Sequence, residues 1–197
     1  MRIRTIVCAC ALALAPSVAS ADGYFVPFVG ANFGGEVGRP LSTAVRDRNI
    51  VTFGAGIGAM GGGVFGMELD FGYTSKFYTD TSATVTRNNL LTVMPALVLG
   101  IPVGGQRGVG VRPYVVAGAG LIRRDVEFNN LTSLSANDLG YTLGFGVMGF
   151  MGDHVGVRGD VRYFRNFQVD EFSLSGVSFE QGTFNYGRAS AGLILRF

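Results

Sequence analysis

Apolar and polar side chains alternate along the last twelve residues, YGRASAGLILRF (186–197). Phe197 and Leu195 share one face with alanines, whereas Arg188 and Arg196 lie on the opposite face. A period of two is the side-chain period of a β-strand. A strand that is apolar outward and charged inward is typical of a membrane barrel, which has lipid outside and a polar interior.

The same alternation recurs upstream and predicts a set of strands of about ten residues, the length that crosses a bilayer when tilted. The predicted strands are residues 24–33, 50–59, 64–73, 88–101, 111–122, 139–150, 155–164 and 186–197. The long connections between them are predicted polar loops, residues 34–48, 74–87, 123–138 and 165–183. Short turns alternate with these loops, so both termini are predicted on the periplasmic side. We therefore predict an all-β fold, an eight-stranded antiparallel up-and-down transmembrane β-barrel with four longer extracellular loops.

The start of the chain has the features of a secretory signal peptide. Two arginines precede an apolar run, and Ala19-Ser20-Ala21 fits a cleavage site. We predict a cleaved signal peptide over residues 1–21 and a barrel domain over residues 22–197. Cleavage would remove both cysteines and the two arginines, which takes the formal charge from +2 to 0. The basic balance of the whole sequence therefore gives no argument for nucleic-acid binding.

A terminal strand of alternating apolar residues that closes on Phe197 resembles the C-terminal signature of bacterial outer-membrane β-barrels. With the other strands, the chain resembles the small outer-membrane barrel family of opacity-type surface antigens and porin-like proteins. The resemblance implies a location in the Gram-negative outer membrane, in contact with its lipid. It also implies a monomer assembled by periplasmic chaperones and the barrel-assembly machinery, with Phe197 as the assembly signal. The loops could then bind an extracellular ligand.

Charged residues are predicted to point into the barrel from several strands. They are Glu68, Asp70, Arg112, Arg158, Asp160, Arg162, Arg188 and Arg196. One interpretation is an ion-pair network that fills and rigidifies the interior, because charges in a narrow lumen need partners. The other is a charged constriction that selects ions, with a net charge of +2 and hence a weak preference for anions.

Two local features leave the interior open to interpretation. Many other inward positions are glycine, among them Gly54, Gly144 and Gly146. These glycines either leave a path for small solutes or are covered by arginines and Tyr114. Pro95 in the fourth strand removes a ladder hydrogen bond, which predicts a bulge there.

The motifs that could carry catalysis are weak. The G-x-G-x-x-G match at residues 56–61 is followed by another predicted strand rather than the helix that nucleotide binding requires. Arg158-Gly159-Asp160 spells the integrin-type recognition tripeptide, but it lies in the middle of a strand with Arg158 and Asp160 facing inward. For a Ser-His-acid hydrolase, His154 is the only histidine and has no serine near it in sequence. We therefore expect no catalytic residue, cofactor or metal ion, and a protein that is not an enzyme.

Two functions are compatible with the sequence. The first is a structural or surface-interaction role, in which antigenic or adhesin-like loops stand on a barrel filled by ion pairs. The second is a narrow porin-like channel for small solutes or ions. The two differ in whether the lumen is continuous.

Overall fold

The computed structural model describes residues 21–37, 50–62, 64–75, 85–104, 108–128, 132–167 and 184–197. Residues 1–20 of the predicted signal peptide lie outside the described residues. Most of the first, second and fourth predicted loops also lie outside them.

The described residues form a closed antiparallel barrel. Its strands are β1 (Ala21–Val37), β2 (Ile50–Gly61), β3 (Phe65–Ser75), β4 (Val85–Gly100), β5 (Val109–Phe128), β6 (Thr132–Met151), β7 (Val155–Asn166) and β8 (Phe184–Arg196). Each strand pairs with the next along the chain, and β8 pairs with β1. The predicted fold class and strand order are confirmed. No helix in this part of the chain is long and apolar enough to cross a membrane.

The alternation of the sequence becomes the two faces of the wall. On β7, Val155, Val157 and Val161 are exposed, whereas Arg158 and Asp160 between them are buried. The same pattern holds on β3, where aromatic and aliphatic side chains point outward. Closure gives every strand a hydrogen-bonded neighbour on both sides, which a sheet in lipid requires because lipid offers no hydrogen bonds.

The third predicted polar loop, residues 123–138, is wrong over most of its length. Strands β5 and β6 continue through it, with pairs from Arg123–Asn137 to Phe128–Thr132. Polar composition suggested a loop, but a ladder that extends beyond the lipid has water on its outer face. Polar side chains are compatible with a strand there because the backbone remains paired.

The bulge predicted at Pro95 is also wrong. The register between β3 and β4 runs unchanged through the Leu69–Pro95 pair, and the register between β4 and β5 is the same on both sides of Pro95. Around Pro95, the β4–β5 ladder lacks only the pairs at residues 94 and 95. Because proline has no N–H, the ladder loses bonds locally without gaining a residue.

The turns and the closing seam set the two ends of the barrel. The β2–β3 turn contains Gly62 with φ of 58°, a left-handed conformation that glycine adopts without steric cost. We call the pairing of β1 with β8 the closing seam. At its turn end Gly23 and Phe197 exchange backbone hydrogen bonds of 3.1 and 2.9 Å. A Cβ on Gly23 would lie 2.6 Å from the Phe197 ring, so the ring covers that glycine.

Two apolar clusters fill the interior at different heights. The cluster near the turn end contains Tyr24, Val26, Met60, Ala96, Val98, Tyr114, Val116, Met148, Phe150 and Ile194. The cluster near the loop end contains Leu90, Met94, Ile122, Phe164, Phe184 and Tyr186. We call them the turn-end cluster and the loop-end cluster. Most of the charged residues of the lumen lie between them, whereas Arg112 and Arg196 lie at the turn end.

Candidate functional site: the lumen ion network

Six of the eight inward charges meet in the middle of the barrel. They are Glu68 and Asp70 from β3, Arg158, Asp160 and Arg162 from β7, and Arg188 from β8. We call these six residues the ion network. Three carboxylates face three guanidinium groups, so the charges balance. Each member is at most 7% exposed.

Glu68 receives donors from the opposite wall of the barrel. Arg158 binds it with both terminal nitrogens, Nη1 to Oε2 and Nη2 to Oε1, the latter at 3.0 Å. Arg162 donates from Nη2 to Oε1 at 2.7 Å, and the Tyr24 hydroxyl donates to Oε2 at 2.9 Å. A bidentate arginine–carboxylate pair is stronger and more directional than a single contact. This pair therefore joins β3 to β7 across the lumen.

Arg162 contacts all three carboxylates of the ion network. Besides Glu68, its Nη1 lies 3.4 Å from Asp70 Oδ2 and its Nε lies 3.4 Å from Asp160 Oδ1. Asp160 also accepts hydrogen bonds from Arg158 Nε at 2.8 Å and from the Tyr114 hydroxyl at 2.7 Å. The network is therefore continuous through Arg162 rather than a set of separate pairs.

Arg188 links the ion network to aromatic side chains. Its Nη2 donates to both Asp70 oxygens at 2.8 Å. Its guanidinium lies between the rings of Phe28 and Phe164, 4.6 and 4.8 Å from their centroids. The Phe164 ring in turn stacks on Tyr186 with a centroid distance of 4.8 Å. Cation–π contacts are strongest where water is excluded, and Arg188 is only 1% exposed.

The structure places Arg112 and Arg196 outside the ion network. Both lie at the turn end, with guanidinium carbons 5.0 and 4.8 Å from the Phe150 ring centroid. Arg112 donates to the Met60 sulfur at 3.4 Å, and Arg196 donates to the backbone oxygen of Asp153 at 2.7 Å. The excess positive charge predicted for the lumen is therefore at its turn end and not at mid-height.

Three inward glycines, Gly54, Gly144 and Gly146, are covered by larger side chains. A Cβ on Gly54 would lie 2.3 Å from the Phe28 ring, and one on Gly144 would lie 2.8 Å from Arg162 Cγ. A Cβ on Gly146 would lie 2.7 Å from the Tyr114 hydroxyl. At these three positions the structure shows coverage, the second of the two possibilities left open by the sequence. These glycines make room for arginine and aromatic side chains.

Several residues of the site were not identified from sequence. Tyr24 and Ser190 donate to Glu68 and Asp160, and Phe28 packs on Arg188. The alternation that places Phe25 outward would have placed Tyr24 and Phe28 inward. The partners across the barrel could not be found this way, because alternation defines a face but not the height at which side chains meet. Among the described residues, no group of three His, Cys, Asp or Glu side chains could hold a metal ion.

A closed eight-stranded barrel with an apolar outer wall and a charged, packed interior defines a small outer-membrane β-barrel protein. The family model described as outer membrane protein beta-barrel domain matches residues 6–197, so the chain belongs to that family. It is a protein of the bacterial outer membrane. No curated protein matches the chain by sequence.

Solved structures share the fold at low identity. Neisserial surface protein A matches with a TM-score of 0.58 and 16% identity, over 88% of this chain and 97% of that one. The outer membrane protein OprG of Pseudomonas aeruginosa matches with 0.58 and 13%, over 90% and 97%. Ail, the attachment invasion locus protein of Yersinia pestis, matches with 0.56 and 13%, over 90% and 99%. Identities this low support the fold and carry no residue-level role.

Proposed function

We propose that the protein is a closed outer-membrane barrel that holds its extracellular loops at the cell surface, where they act as antigenic or adhesive contacts. The observation that carries this proposal is the ion network, which is charge-balanced, buried and enclosed by an apolar cluster on each side. A lumen packed in this way has the construction of a rigid support. No catalytic step is part of the proposal.

Energetics favour a closed lumen over a conducting one. A passing ion would have to separate Arg158 or Arg162 from Glu68, and a buried charge that loses its partner costs about 3–5 kcal/mol. It would also have to cross the apolar clusters, which offer few polar groups to replace its hydration shell. Both costs oppose steady permeation.

One observation favours the alternative, a narrow porin-like channel. Arg162 Nε and Nη1 and Arg188 Nε and Nη1 are buried and form no hydrogen bond with the described residues. Water beside these nitrogens would satisfy them, and a connected file of such waters would be the start of a path.

Uptake of small solutes by proteoliposomes separates the two functions. Vesicles that contain the refolded barrel should take up small sugars and amino acids no faster than vesicles without protein. The folded state is checked first by the mobility shift between heated and unheated samples on a detergent gel. Uptake that increases with the amount of folded barrel would favour the channel.

The contact role is tested on the loops. Replacing residues 38–49, 76–84 or 168–183 by short Gly-Ser turns should leave folding unchanged and reduce the adhesion of bacteria that display the chain to cultured epithelial cells. Adhesion that is unchanged in all three variants would count against a contact role. We further propose a monomer that engages the barrel-assembly machinery through Phe197.

A further inference from the structure

Pro27 on β1 and Pro95 on β4 each remove a backbone donor from one side of their strand. In an antiparallel strand, alternate N–H groups face the same neighbouring strand. Gly23 donates to the last residue of the chain, beside β8, so the nitrogen of Pro27 also faces β8. Ile101 donates to β5, so the nitrogen of Pro95 also faces β5. Because proline has no N–H, the closing seam and the β4–β5 ladder each lack a hydrogen bond within the wall.

The pairing of the strands is interrupted at these same two ladders. The closing seam has no pairs at residues 26–27 and its register shifts after Phe33. The β4–β5 ladder has no pairs at residues 94–95 and its register shifts after Val85. The other six ladders pair continuously over the residues that the structure describes. The two interrupted ladders lie opposite each other in the barrel and divide it into a first half, β1–β4, and a second half, β5–β8.

Each half is also joined internally by buried polar side chains. In the first half, Thr74 on β3 accepts a hydrogen bond from Asn32 on β1 at 3.1 Å and shares one of 2.7 Å with Thr52 on β2. In the second half, Asp160 on β7 accepts a hydrogen bond from the Tyr114 hydroxyl on β5 at 2.7 Å. Each half therefore has three continuous ladders and hydrogen bonds of its own.

The ion network joins the two halves across the lumen. The first half contributes Glu68 and Asp70, a charge of −2, and the second half contributes three arginines and Asp160, a charge of +2. The four arginine contacts of Glu68 and Asp70 all cross from one half to the other. Opposite charges attract, so the network draws together the two halves whose shared ladders the prolines weaken.

The outer wall is shallow along one of the two interrupted ladders. A depression of about 520 Å³ on the β4–β5 wall is lined by the small side chains of Pro95, Ala117 and Ala119. Glu68 of the ion network is also among its lining residues. The place where the ladder lacks pairs is therefore also a place where outward side chains add little thickness to the wall.

We propose that the barrel opens as two halves, along the closing seam and the β4–β5 ladder, and that the ion network is the clasp that holds the halves together. Opening separates the arginines of the second half from Glu68 and Asp70 and leaves the six continuous ladders intact. It is opposed by the cost of leaving buried charges without partners. The proposal goes beyond the proposed function, because it describes how the wall opens and holds whatever the loops contact.

Amide hydrogen exchange, followed by NMR on the refolded barrel in detergent micelles, tests the proposal. Neighbouring amides of one strand give an internal comparison, because the N–H of Leu97 faces β5 and that of Ala96 faces β3. Leu97 should exchange roughly two- to tenfold faster than Ala96, the factor expected for one missing hydrogen bond. On β1, Val29 faces the closing seam and should exceed Phe28, which faces β2, by a similar factor.

Three variants separate the clasp from general stability. Glu68→Gln should speed exchange at the two interrupted ladders by roughly 100-fold, because two buried arginines lose their partner in the other half. Asp160→Asn is the matched control, since this buried carboxylate binds Arg158, Arg162 and Tyr114 within the second half. It should show no preference for the two interrupted ladders. Pro95→Val restores a donor toward β5 and should slow exchange at Leu97 roughly two- to tenfold.

Three outcomes would overturn the proposal. The first is equal exchange of Leu97 and Ala96 in the wild type, which needs no variant to fold. The second is faster exchange in Glu68→Gln by the same factor at all eight ladders, or the same pattern in Asp160→Asn, because the effect would then be a general loss of stability. The third is unchanged exchange at Leu97 in Pro95→Val, because the proline would then not be the weak point of the ladder.

Discussion

Arg158 binds both oxygens of Glu68 across the width of the barrel, although 90 positions separate the two residues in sequence. The pair ties β7 to β3, strands that share no backbone ladder. Arg162 donates to the same carboxylate, so Glu68 neutralises part of two guanidinium groups at once. Glu68 is therefore the carboxylate that holds two of the three arginines of the ion network.

Replacing Glu68 by Gln should destabilise the folded barrel by about 3–5 kcal/mol, because it leaves two buried arginines without their shared carboxylate. Urea unfolding in lipid vesicles measures the change. Asp153→Asn is the matched control, since that acid is 60% exposed and lies 3.7 Å from Arg196. It should cost less than about 1 kcal/mol. Equal effects of the two variants would show that burial in the ion network adds nothing.

The contact between Arg188 and Phe28 should appear as a coupling energy. A double-mutant cycle with Phe28→Leu and Arg188→Met should give about 0.5–2 kcal/mol, because the guanidinium lies 4.6 Å from the ring centroid in a dry site. The measurement is again urea unfolding in vesicles. A cycle with Phe28→Leu and Arg196→Met serves as the control and should show no coupling. Additive effects in both cycles would contradict the assigned contact.

The covered glycines should not tolerate a methyl group. Gly120→Ala places a Cβ 2.1 Å from the Val93 backbone oxygen, so it should cost about 1–3 kcal/mol through overpacking. Gly159→Ala is the control, because its Cβ would meet nothing closer than the Ser190 oxygen at 4.0 Å. The fraction folded after refolding, read from gel mobility, compares them. Equal folded fractions of the two variants would contradict the close approach of the Val93 backbone to Gly120.

Phe197 and Phe33 lie at opposite ends of the closing seam. Comparing their substitutions distinguishes a role in packing from a role in assembly. The Phe197 ring covers Gly23, and at the other end the Phe33 ring covers Gly187, with a Cβ position 2.5 Å from the ring. Phe33→Ala and Phe197→Ala should each lower the stability of the refolded barrel by roughly 0.2–1 kcal/mol. In cells, only Phe197→Ala should reduce insertion into the outer membrane. Equal insertion of the two variants would contradict an assembly role for Phe197.

The fold could be predicted because lipid outside and a packed, charged interior impose opposite chemistry on alternate residues. Val155 to Asp160 shows this rule directly. The rule fails where water surrounds the wall. Residues 123–138 therefore suggested a loop, although residues 123–128 and 132–138 belong to β5 and β6. The rule also does not predict the height of a side chain in the barrel. Arg112 and Arg196 share the inward face with Arg162 but lie at the turn end.

The coverage of the glycines could not be decided from sequence either. Gly54 and Phe28 sit opposite each other in the β1–β2 register, and only that register shows that the ring fills the space above the glycine. Gly146 and Tyr114 are related in the same way on β5 and β6. Side-chain size alone is compatible with either a channel or a filled barrel.

Bilayer conductance of the refolded chain of residues 22–197 tests the sealed lumen most directly. The wild type should give no discrete current steps once its folding and insertion have been shown. Arg158→Ala and Arg162→Ala shorten side chains that cross the lumen, and any current they produce would locate the barrier at the ion network. Discrete steps from the wild type, with a size or ion selectivity that changes in these variants, would contradict the closed barrel and identify a channel lined by β7.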